Sequence, residues 1–301
     1  MINQAKPFFL HAISSIHPGS GSEVGVVDLP VQREQHTNYP KIESSSLKGA
    51  IRATVSNVTG ALNGDNEMKR RISYIFGIDP EEVHQEKGKT QAGAITFADA
   101  RILLFPVKSL RGVFAWVTCP FVLQRLNREM GLYSEKDFQL PVPETPSAAS
   151  RELFVMENRV VLEEYTFDVT QSEETAEIAE KLQEILFPGE EFKLSEHLLV
   201  LDDDAFRDFV TLSTEVNARV RIDSKTGTVS GNALWYEENI PPETVFYSFM
   251  FAGNVRGEGM DGLKTHEDVM SFMSKEQNFP AVFQLGGNAT IGRGMLQRIW
   301  L

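Results

Sequence analysis

The sequence has a single cysteine, Cys119, and no long run of apolar residues. One cysteine cannot form an internal disulfide, and it excludes a zinc site built from several cysteines. We predict that Cys119 is a small buried side chain rather than a nucleophile. A membrane span needs about 18 or more apolar residues in a row, and a secretory signal needs a charged start before an apolar stretch. Neither pattern occurs, so we expect a cytoplasmic protein that does not enter a membrane.

Positive charge is also scarce, because 29 Lys and Arg stand against 42 Asp and Glu, for a net charge of −13. Such a balance opposes binding to nucleic acid, whose phosphates are held by Lys and Arg. However, residues 151–210 contain 17 acidic and five basic residues, so this segment accounts for −12 of the total. We interpret the segment as a solvated surface that RNA avoids. The rest of the chain is nearly neutral, and nucleic-acid binding there is not excluded.

The common catalytic signatures are absent as well. The sequence contains no HExxH zinc motif and no dinucleotide-binding fingerprint. Gly287 and Gly292 have the spacing of a phosphate-binding P-loop, but Arg293 and Gly294 stand where that motif requires Lys and then Ser or Thr. An NTPase is therefore excluded. Residues 283–301 still offer a glycine-rich connection with Arg293 and several N–H groups, which suits either a sugar-phosphate cradle or a tight hairpin turn.

Local patterns predict an α+β fold. The segment FFLHAIS has the aromatic and β-branched composition of a strand, and a polar stretch from Ser14 to Glu43 follows it. A helix begins near Ser44, Ser45 or Ser46, any of which can cap it. Further predicted elements are a strand at 94–107, a helix at 112–131 that Pro120 kinks or restarts, strands near 153–169, a helix begun by Ser172, a short helix at 202–213, a hairpin turning at Thr226 and Gly227, and strands at 242–253, 280–287 and 295–301. Strands and helices do not alternate strictly, so an antiparallel sheet with a split βαβ unit is favoured.

Two features suit phosphate binding. Within HPGSGSEVGVVDLPVQRE, residues 17–34, the glycines Gly19, Gly21 and Gly25 permit positive φ and close approach of another backbone. They form either a phosphate cradle of main-chain N–H groups or an ordinary glycine turn. Lys48 and Arg52, four residues apart in the helix that follows, share one face as a small basic stripe.

Asp28 is the candidate chemical group of the same loop. It follows a short apolar stretch and lies near His17, Arg33 and Glu34 in the sequence. Its carboxylate can orient a hydroxyl, accept the proton of that hydroxyl or bind a divalent metal. The alternative interpretation is that Asp28 has a structural role and caps a turn.

The segment ALWYEEN, residues 233–239, combines aromatic and acidic groups on a predicted hairpin. Trp235 and Tyr236 offer faces on which bases can stack, and Glu237 and Glu238 can assist proton transfer. Burial of the two rings in a sheet is the alternative interpretation.

Taken together, four strings resemble the RAMP superfamily, and within it the backbone subunits of Cmr, or type III-B, CRISPR effectors. The strings are HPGSGSEVGVVDLPVQREQHTNYPKIESSSLKGAIR, DARILLFPVKSLRGVFAWVTCP, LWYEENIPPETVF and FQLGGNATIGRG. The resemblance implies a ferredoxin-like core, a modified RNA-recognition fold, with an inserted thumb hairpin and a helical lid. It also implies a filament of copies along a guide CRISPR RNA, in which complementary target RNA is cut at regular intervals, once per copy.

The resemblance also assigns roles to residues. It places the cutting at Asp28, the aspartate of GVVD, and makes His17, Tyr236 and Glu238 supporting catalytic groups. A divalent metal, Mg²⁺ or Mn²⁺, supports cleavage in this family and would bind at Asp28. The cut leaves a 5′-hydroxyl and a cyclic or terminal 3′-phosphate. The residues expected to bind RNA are Gly19, Ser20, Gly21, Arg33, Ser45, Ser46, Lys48, Arg52, Gly286, Gly287 and Arg293.

We therefore expect one RAMP domain at residues 1–301 with insertions. These are a catalytic and RNA-binding loop at about 15–45, an acidic helical insertion at about 130–215 and a thumb hairpin at about 214–245. The expected partners are guide RNA, target RNA, copies of the chain and other Cmr subunits. A catalytically silent RNA-binding filament subunit is the alternative, and a small-molecule enzyme with a closed pocket is a third class. The acidity of the chain leads us to expect that assembly is needed to form a continuous basic track.

Overall fold

The computed structural model describes residues 3–22, 25–78 and 91–301, without the side chains of 231–233. Glu23 and Val24 of the predicted glycine-rich loop lie outside the described residues. The strands are β1 Gln4–Ala12, β2 Lys41–Ile42, β3 Ile95–Phe97, β4 Ala100–Lys108, β5 Phe114–Thr118, β6 Ser147–Ala148, β7 Arg159–Leu162, β8 Tyr165–Asp168, β9 Thr170–Gln171, β10 Leu198–Val200, β11 Glu215–Ile222, β12 Val229–Asn239, β13 Val245–Ala252, β14 Val282–Gln284 and β15 Met295–Trp300. The α-helices of the described part are α1 Ser44–Val58, α2 Asn66–Phe76, α3 Pro120–Tyr133, α4 Glu173–Leu186, α5 Asp203–Leu212 and α6 His266–Ser274.

Eleven strands form one sheet. Nine of them follow the spatial order β14, β15, β1, β13, β4, β5, β10, β6 and β9, while β2 adds to β4 and β3 adds to β13. The pairs from β14 to β5 are antiparallel, whereas β5 pairs parallel with β10 and β6 pairs parallel with β9. The sheet is therefore mixed, and the predicted antiparallel arrangement is correct for every pair except β5–β10 and β6–β9.

The central strands carry the core. Every residue of β13 is buried, as is β1 from Pro7 onward, because both strands lie inside the sheet and are covered on both faces. Helix α1 packs on the sheet through Leu47, Ile51 and Val55, which recur every four residues and therefore share one helical face. Full burial of such side chains stabilises the fold by about 2 kcal/mol each. The result is a rigid platform whose upper end, where β1 ends and β13 and β15 begin, carries the candidate site.

The helix predicted at 112–131 is wrong in its first half. Phe114–Thr118 is strand β5, and Pro120 is the first residue of α3. The string FAWVT is aromatic and β-branched, which favours a strand, and proline is well tolerated at the first helical position because the N–H it lacks has no partner there. Cys119, between the two elements, is buried as predicted, and burial raises the pKa of its thiol to about 12.

The predicted serine cap of α1 is also wrong. Glu43 occupies the capping position without a side-chain capping bond. The N–H of Ser44 instead donates to the carboxylate of Asp99 at 2.8 Å, and Lys41 pairs with the same carboxylate at 2.9 Å. Asp99, from a distant part of the chain, thus accepts a backbone N–H at the start of the helix. No local pattern could indicate this contact.

Outside the main sheet, β11 and β12 form a separate two-stranded hairpin. Its predicted turn is confirmed, since Gly227 has φ +69° and its N–H donates to the Asp223 carbonyl. The segment 130–215 contains α4 and α5, and also strands β6 to β10, three of which join the main sheet. Among the described helices, none combines the length and the apolar character that crossing a bilayer requires.

Candidate functional site

Three segments meet at the upper end of the sheet: the glycine-rich loop (17–34), the hairpin base (235–240) and the C-terminal loop (285–294). Ile16, just before the first segment, exchanges two backbone hydrogen bonds with Ile240, of 3.0 and 2.8 Å. The carbonyl of His17 accepts the N–H of Gly287 at 3.1 Å. Glycine-bearing segments from both ends of the chain therefore converge beside one sheet.

Two glycines of the C-terminal loop are required by this packing. Gly286 has φ +86°, and a Cβ there would overlap the carbonyl of His17. Gly294 has φ +82°, and a Cβ there would overlap the carbonyl of Leu285. Any larger residue at either position would have to push backbone apart and adopt a strained conformation.

Asp28 lies on the surface, against the hairpin base. Its Oδ2 accepts the N–H of Tyr236 at 2.7 Å. Leu29 continues the contact as an isolated parallel bridge, because its N–H donates to the Tyr236 carbonyl at 3.1 Å and its carbonyl accepts the N–H of Glu238 at 3.0 Å. The Asp28 carboxylate is exposed, and among the described residues its second oxygen has no protein partner. The ring of Tyr236 is 42% exposed beside it. A polymer can therefore reach this carboxylate.

His17 is half-buried beneath the glycine loops. Its Nδ1 lies 2.6 Å from the backbone carbonyl of Glu238, and because a carbonyl only accepts, Nδ1 must carry the proton. In the neutral ring Nε2 is then free of a proton and can accept one. A Cβ on Gly19 would lie 2.7 Å from Nε2, and a Cβ on Gly287 would lie 3.3 Å from Cδ2. The two glycines thus leave room around the reactive edge of the ring.

Glu238 is buried, and its carboxylate is fully engaged. Oε2 accepts the N–H of Val31 at 2.9 Å, while Oε1 accepts the Thr214 hydroxyl at 2.8 Å and the Arg33 guanidinium at 2.5 Å. Arg33 also donates to the carbonyls of Asn38 and Val210. Both side chains therefore tie the glycine-rich loop to the hairpin base, and both carboxylate oxygens of Glu238 already accept from protein donors.

Glu237, to which the resemblance assigns no role, faces the opposite way. Its buried carboxylate accepts from Asn288 at 2.6 Å and lies 3.4 Å from Arg293 and 3.5 Å from Arg219. Burial alone would raise the pKa of Glu237, but hydrogen bonds from Asn288 and Asn239 and the charge of Arg219 lower it overall. Alternation along β12 indicates that neighbouring acids face opposite ways. Nothing local indicates that the partner of Glu237 is the C-terminal loop, more than fifty residues later.

The remaining predicted RNA-binding residues of the loop lie at its rim. Gly19 pairs with Val31 as an isolated bridge, and the N–H of Ser20 donates to the Pro30 carbonyl at 3.1 Å. Ser20 and Gly21 are exposed. Ser20 and Gly21 therefore lie on the outer surface of the loop, where a ligand can reach them.

The predicted residues on α1 lie on the other side of the loop. Ser45 is exposed, and the Ser46 hydroxyl accepts from the Gln32 side chain at 3.1 Å. The Lys48 ammonium donates to the Ile95 carbonyl at 3.1 Å. Burial and the nearby charge of Arg52 lower the pKa of Lys48. Lys48 of the basic stripe is therefore anchored in the fold rather than extended into solvent.

An open groove of about 810 Å³ separates α1 from the C-terminal loop. Ser46, Gly49 and Ala53 line one side, and Gln284, Gly286 and Met295 line the other. All of its described lining residues are small or uncharged. Two of the predicted RNA-binding segments thus face each other across a space that a nucleotide backbone can enter closely.

No three His, Cys, Asp or Glu side chains of the described residues converge on a metal-binding cluster. Glu237 and Glu238 are committed to protein donors. The carboxylate of Asp28 is exposed, and an external ligand can reach it.

Comparison with known proteins identifies the family. The family model of the RAMP superfamily matches residues 9–297, and the chain belongs to that family. It is 39% identical over 291 residues to the CRISPR system Cmr endoribonuclease Cmr4 of Pyrococcus furiosus, a match that covers 96% of this chain and 92% of the relative. It is 26% identical to the CMR subunit Cmr4 of Saccharolobus solfataricus, over 98% of this chain and 96% of that one.

Solved structures agree with this assignment. The crystal structure of oligomeric Cmr4 from Pyrococcus furiosus matches with a TM-score of 0.70 and 31% identity, covering 99% of both chains. A chain of the type III-B Cmr-beta complex bound to cognate target RNA matches with a TM-score of 0.73 and 24% identity, over 99% of this chain and 98% of that one. At that identity the second likeness shows the fold alone.

Proposed function

We propose that the protein is a backbone subunit of a type III-B CRISPR effector, which binds guide RNA as a filament and cuts the paired target RNA at regular intervals. One observation carries the proposal: the carboxylate of Asp28 is exposed and fixed by the Tyr236 N–H, next to glycine-rich loops from both ends of the chain. A relative named as the Cmr endoribonuclease Cmr4 and a solved structure described as oligomeric Cmr4 support the activity and the assembly.

The finer fold assignment is part of the proposal. The strands β15, β1, β13 and β4 are neighbours in that order, α1 follows β1, and α6 follows β13. A ferredoxin-like core, with two split βαβ units, has this arrangement. We assign the β11–β12 hairpin as the thumb and the segment 130–215 as the lid.

The proposed reaction is attack of a ribose 2′-oxygen on the adjacent phosphorus. The bond from the 2′-oxygen to phosphorus forms, and the bond from phosphorus to the 5′-oxygen of the next nucleotide breaks, which gives a cyclic phosphate and a 5′-hydroxyl. Asp28 accepts the proton of the 2′-hydroxyl, and His17, when protonated at Nε2, gives a proton to the leaving oxygen. Holding the RNA in line for this attack supplies much of the rate. DNA lacks the 2′-hydroxyl and is not cut.

The other site residues support this step in different ways. The exposed ring of Tyr236 stacks on a base or contacts the ribose beside Asp28. Glu238, expected as a catalytic group, acts by holding Arg33 and the loop in place, because its oxygens already accept from three donors. As an alternative to accepting the proton, the free oxygen of Asp28 would hold a divalent metal, Mg²⁺ or Mn²⁺, because such cations bind carboxylate oxygens. The metal would stabilise the negative charge that develops on the phosphate.

The proposed RNA track runs through the groove between α1 and the C-terminal loop. Main-chain N–H groups of the glycine loops contact phosphates there. The cations Lys48, Arg52 and Arg293 do not line the groove, and they attract the RNA phosphates from a longer distance. In a chain of net charge −13, these few cations alone bind RNA only weakly. Stacking of copies with the other Cmr subunits in the cytoplasm repeats the cations along the RNA, so their attraction for the phosphates adds up.

Reconstitution with guide RNA, target RNA and the sister subunits tests the proposal. Asp28→Asn keeps an oxygen for the Tyr236 N–H and removes the charge, so cleavage should fall at least about 100-fold. Filter binding of target RNA should change less than about twofold, since an exposed carboxylate contributes no attraction to phosphate. Asp204→Asn, at an exposed acid of α5, is the matched control and should cleave normally.

A silent structural subunit predicts another result. Regularly spaced cuts that persist at the normal rate with Asp28→Asn would assign the nuclease elsewhere and leave this chain as a filament component. A small-molecule enzyme would sediment as a monomer with guide RNA present and would not assemble on it.

A further inference from the structure

Three basic side chains gather at the lower end of the sheet, where β1 begins and β15 ends. Lys6 lies near the start of β1, Arg298 lies near the end of β15, and Lys136 follows α3. Burial lowers the pKa of Lys6, and the nearby charges of Arg298 and Lys136 lower it further. We call these three residues the basic corner. Like charges repel, so their grouping is unfavourable unless a negative charge balances it.

The ring of Trp300 holds two of these cations together. The Lys6 ammonium lies 4.6 Å from the ring centroid, and the guanidinium carbon of Arg298 lies 4.7 Å from it. The face of an aromatic ring attracts a cation at such distances. This attraction keeps the two side chains at the basic corner, but it does not cancel their charge.

The basic corner has no carboxylate partner in the part of the chain that the structure describes. None of its three cations forms an ion pair within 4 Å there. Lys6 donates to the Ser274 hydroxyl at 3.0 Å and Arg298 to the Phe279 carbonyl at 2.9 Å, and both acceptors are uncharged. The charge of Glu276 acts on Arg298, yet burial lowers the pKa of Arg298 to about 10. An excess of positive charge therefore remains.

Two buried donors at the same place have no acceptor among the described residues. They are Nε of Arg298 and Nε1 of Trp300. Arg298 is only 7% exposed, so little solvent reaches its guanidinium. Native proteins rarely leave a buried donor unpaired, because such a donor has lost its bonds to water. The excess charge and the unpaired donors both require the same group, which is an acceptor that carries negative charge.

We propose that the basic corner binds a compact phosphate group, supplied by inorganic phosphate or by the terminal phosphate of a nucleotide. A phosphate carries up to two negative charges, and its oxygens can accept from the three cations and from Nε1 of Trp300. The small exposed area of Arg298 does not suit an internal phosphodiester, which has a ribose on each side.

The basic corner is distinct from the proposed RNA track. Six residues of β1 separate Lys6 from Ala12 at the upper end of the sheet, which is a distance of about 20 Å in an extended strand. The proposal therefore does not rest on the proposed function, and its tests need no guide RNA.

Thermal unfolding of the full-length chain tests the site. At equal ionic strength, about 10 mM inorganic phosphate should raise the unfolding midpoint by at least about 2 °C relative to chloride, because a ligand of the folded state stabilises it. Lys6→Met keeps an apolar stem beside Trp300 and removes the ammonium, so it should lose at least about half of this shift. Lys108→Met, at an exposed lysine of β4, is the matched control and should keep the shift. Any general effect of phosphate as a salt acts equally on all three proteins.

Tryptophan fluorescence provides an independent measurement. The chain has three tryptophans, and Trp300→Phe retains a ring while removing the Nε1 donor and the local signal. Titration with inorganic phosphate should change the emission of the wild-type chain until it saturates and should leave the emission of Trp300→Phe unchanged. Arg298→Lys retains a positive charge but loses the Nε donor, and it should weaken phosphate binding at least about tenfold.

Competition with a short oligonucleotide identifies the source of the phosphate. If a trinucleotide with a 5′-phosphate displaces inorganic phosphate and the unphosphorylated trinucleotide does not, the ligand is a nucleotide terminus. If neither displaces it, the ligand is the free anion. Displacement by both would assign the basic corner to the RNA backbone and overturn the proposal. Equal midpoint shifts in the wild-type chain and Lys6→Met, without a saturable fluorescence change, would also overturn it, whatever the cleavage activity of the assembled complex.

Discussion

The glycine-rich loop and the hairpin base each bring carboxylates to the same place, but in opposite states. Asp28 of the loop is exposed and accepts one backbone N–H at 2.7 Å. Glu237 and Glu238 of the hairpin base are buried, 4% and 6% exposed, and each is surrounded by donors. A carboxylate that already satisfies several donors cannot also change its proton or ligand without loosening the fold. Under the proposed function, this difference leaves Asp28 as the group for chemistry, while Glu237 and Glu238 form the frame of the site.

Removing the frame carboxylate should produce the largest effect. Glu238→Ala would leave the Arg33 guanidinium, the Thr214 hydroxyl and the Val31 N–H without their acceptor, and breaking a buried ion pair in this way costs about 4 kcal/mol. Denaturant unfolding of the isolated chain measures the loss. Glu238→Gln, which retains an acceptor, should lose less than half as much. Equal, small losses in both variants would mean that the acid is not part of the frame.

Disturbing the close approach of the loops should produce the next largest loss of stability. Gly286 and Gly292 have nearly the same positive φ, +86° and +80°, but a Cβ at Gly286 meets the His17 carbonyl whereas one at Gly292 meets nothing within 4 Å. Gly286→Ala combines backbone strain with a clash and should destabilise the fold by about 3 kcal/mol. Gly292→Ala has the strain alone and should lose about 1 kcal/mol. Thermal unfolding of the pair separates the two contributions, and similar losses would contradict the proposed packing.

A smaller effect should appear in the pH dependence of stability. The folded pKa of Glu237 lies below its ordinary value of 4.5, so this group stabilises the fold above that pH and loses its contribution as pH falls through the folded pKa. Glu237→Gln should therefore flatten the decline of the unfolding free energy below about pH 4.5. Unfolding of both proteins from pH 6 down to pH 3 measures this slope. Parallel slopes in the two proteins would show that Glu237 is not specifically stabilised.

Much of the site could be predicted from short-range patterns. The composition of FFLHAIS indicated β1, the serines at 44–46 indicated where α1 begins, and the resemblance to RAMP proteins pointed to Asp28. Each of these depends on residues close in sequence or on a family motif. These patterns did not indicate which carboxylates are exposed and which are buried, because burial depends on the whole fold.

The rest depends on contacts between distant residues. Asn288 and Glu237 are joined by a hydrogen bond of 2.6 Å, and Arg125 meets Glu34 at 2.8 Å across 91 residues. No periodicity in one segment carries information about the other. The strand at Phe114–Thr118 was missed for a different reason, since a short apolar run fits a helix or a strand until its neighbours are known. Its pairing with β4 and β10 decides the matter.

The division between chemistry and frame is tested most directly by measuring single-turnover cleavage of target RNA and unfolding free energy together for Asp28→Asn and Glu238→Gln. The account predicts that Asp28→Asn slows cleavage at least about 100-fold while changing the unfolding free energy by less than about 0.5 kcal/mol. Glu238→Gln should do the reverse, with a clear loss of stability and cleavage reduced at most about tenfold at a temperature where the chain stays folded. Cleavage that survives Asp28→Asn, or that is lost in Glu238→Gln without loss of stability, would contradict it.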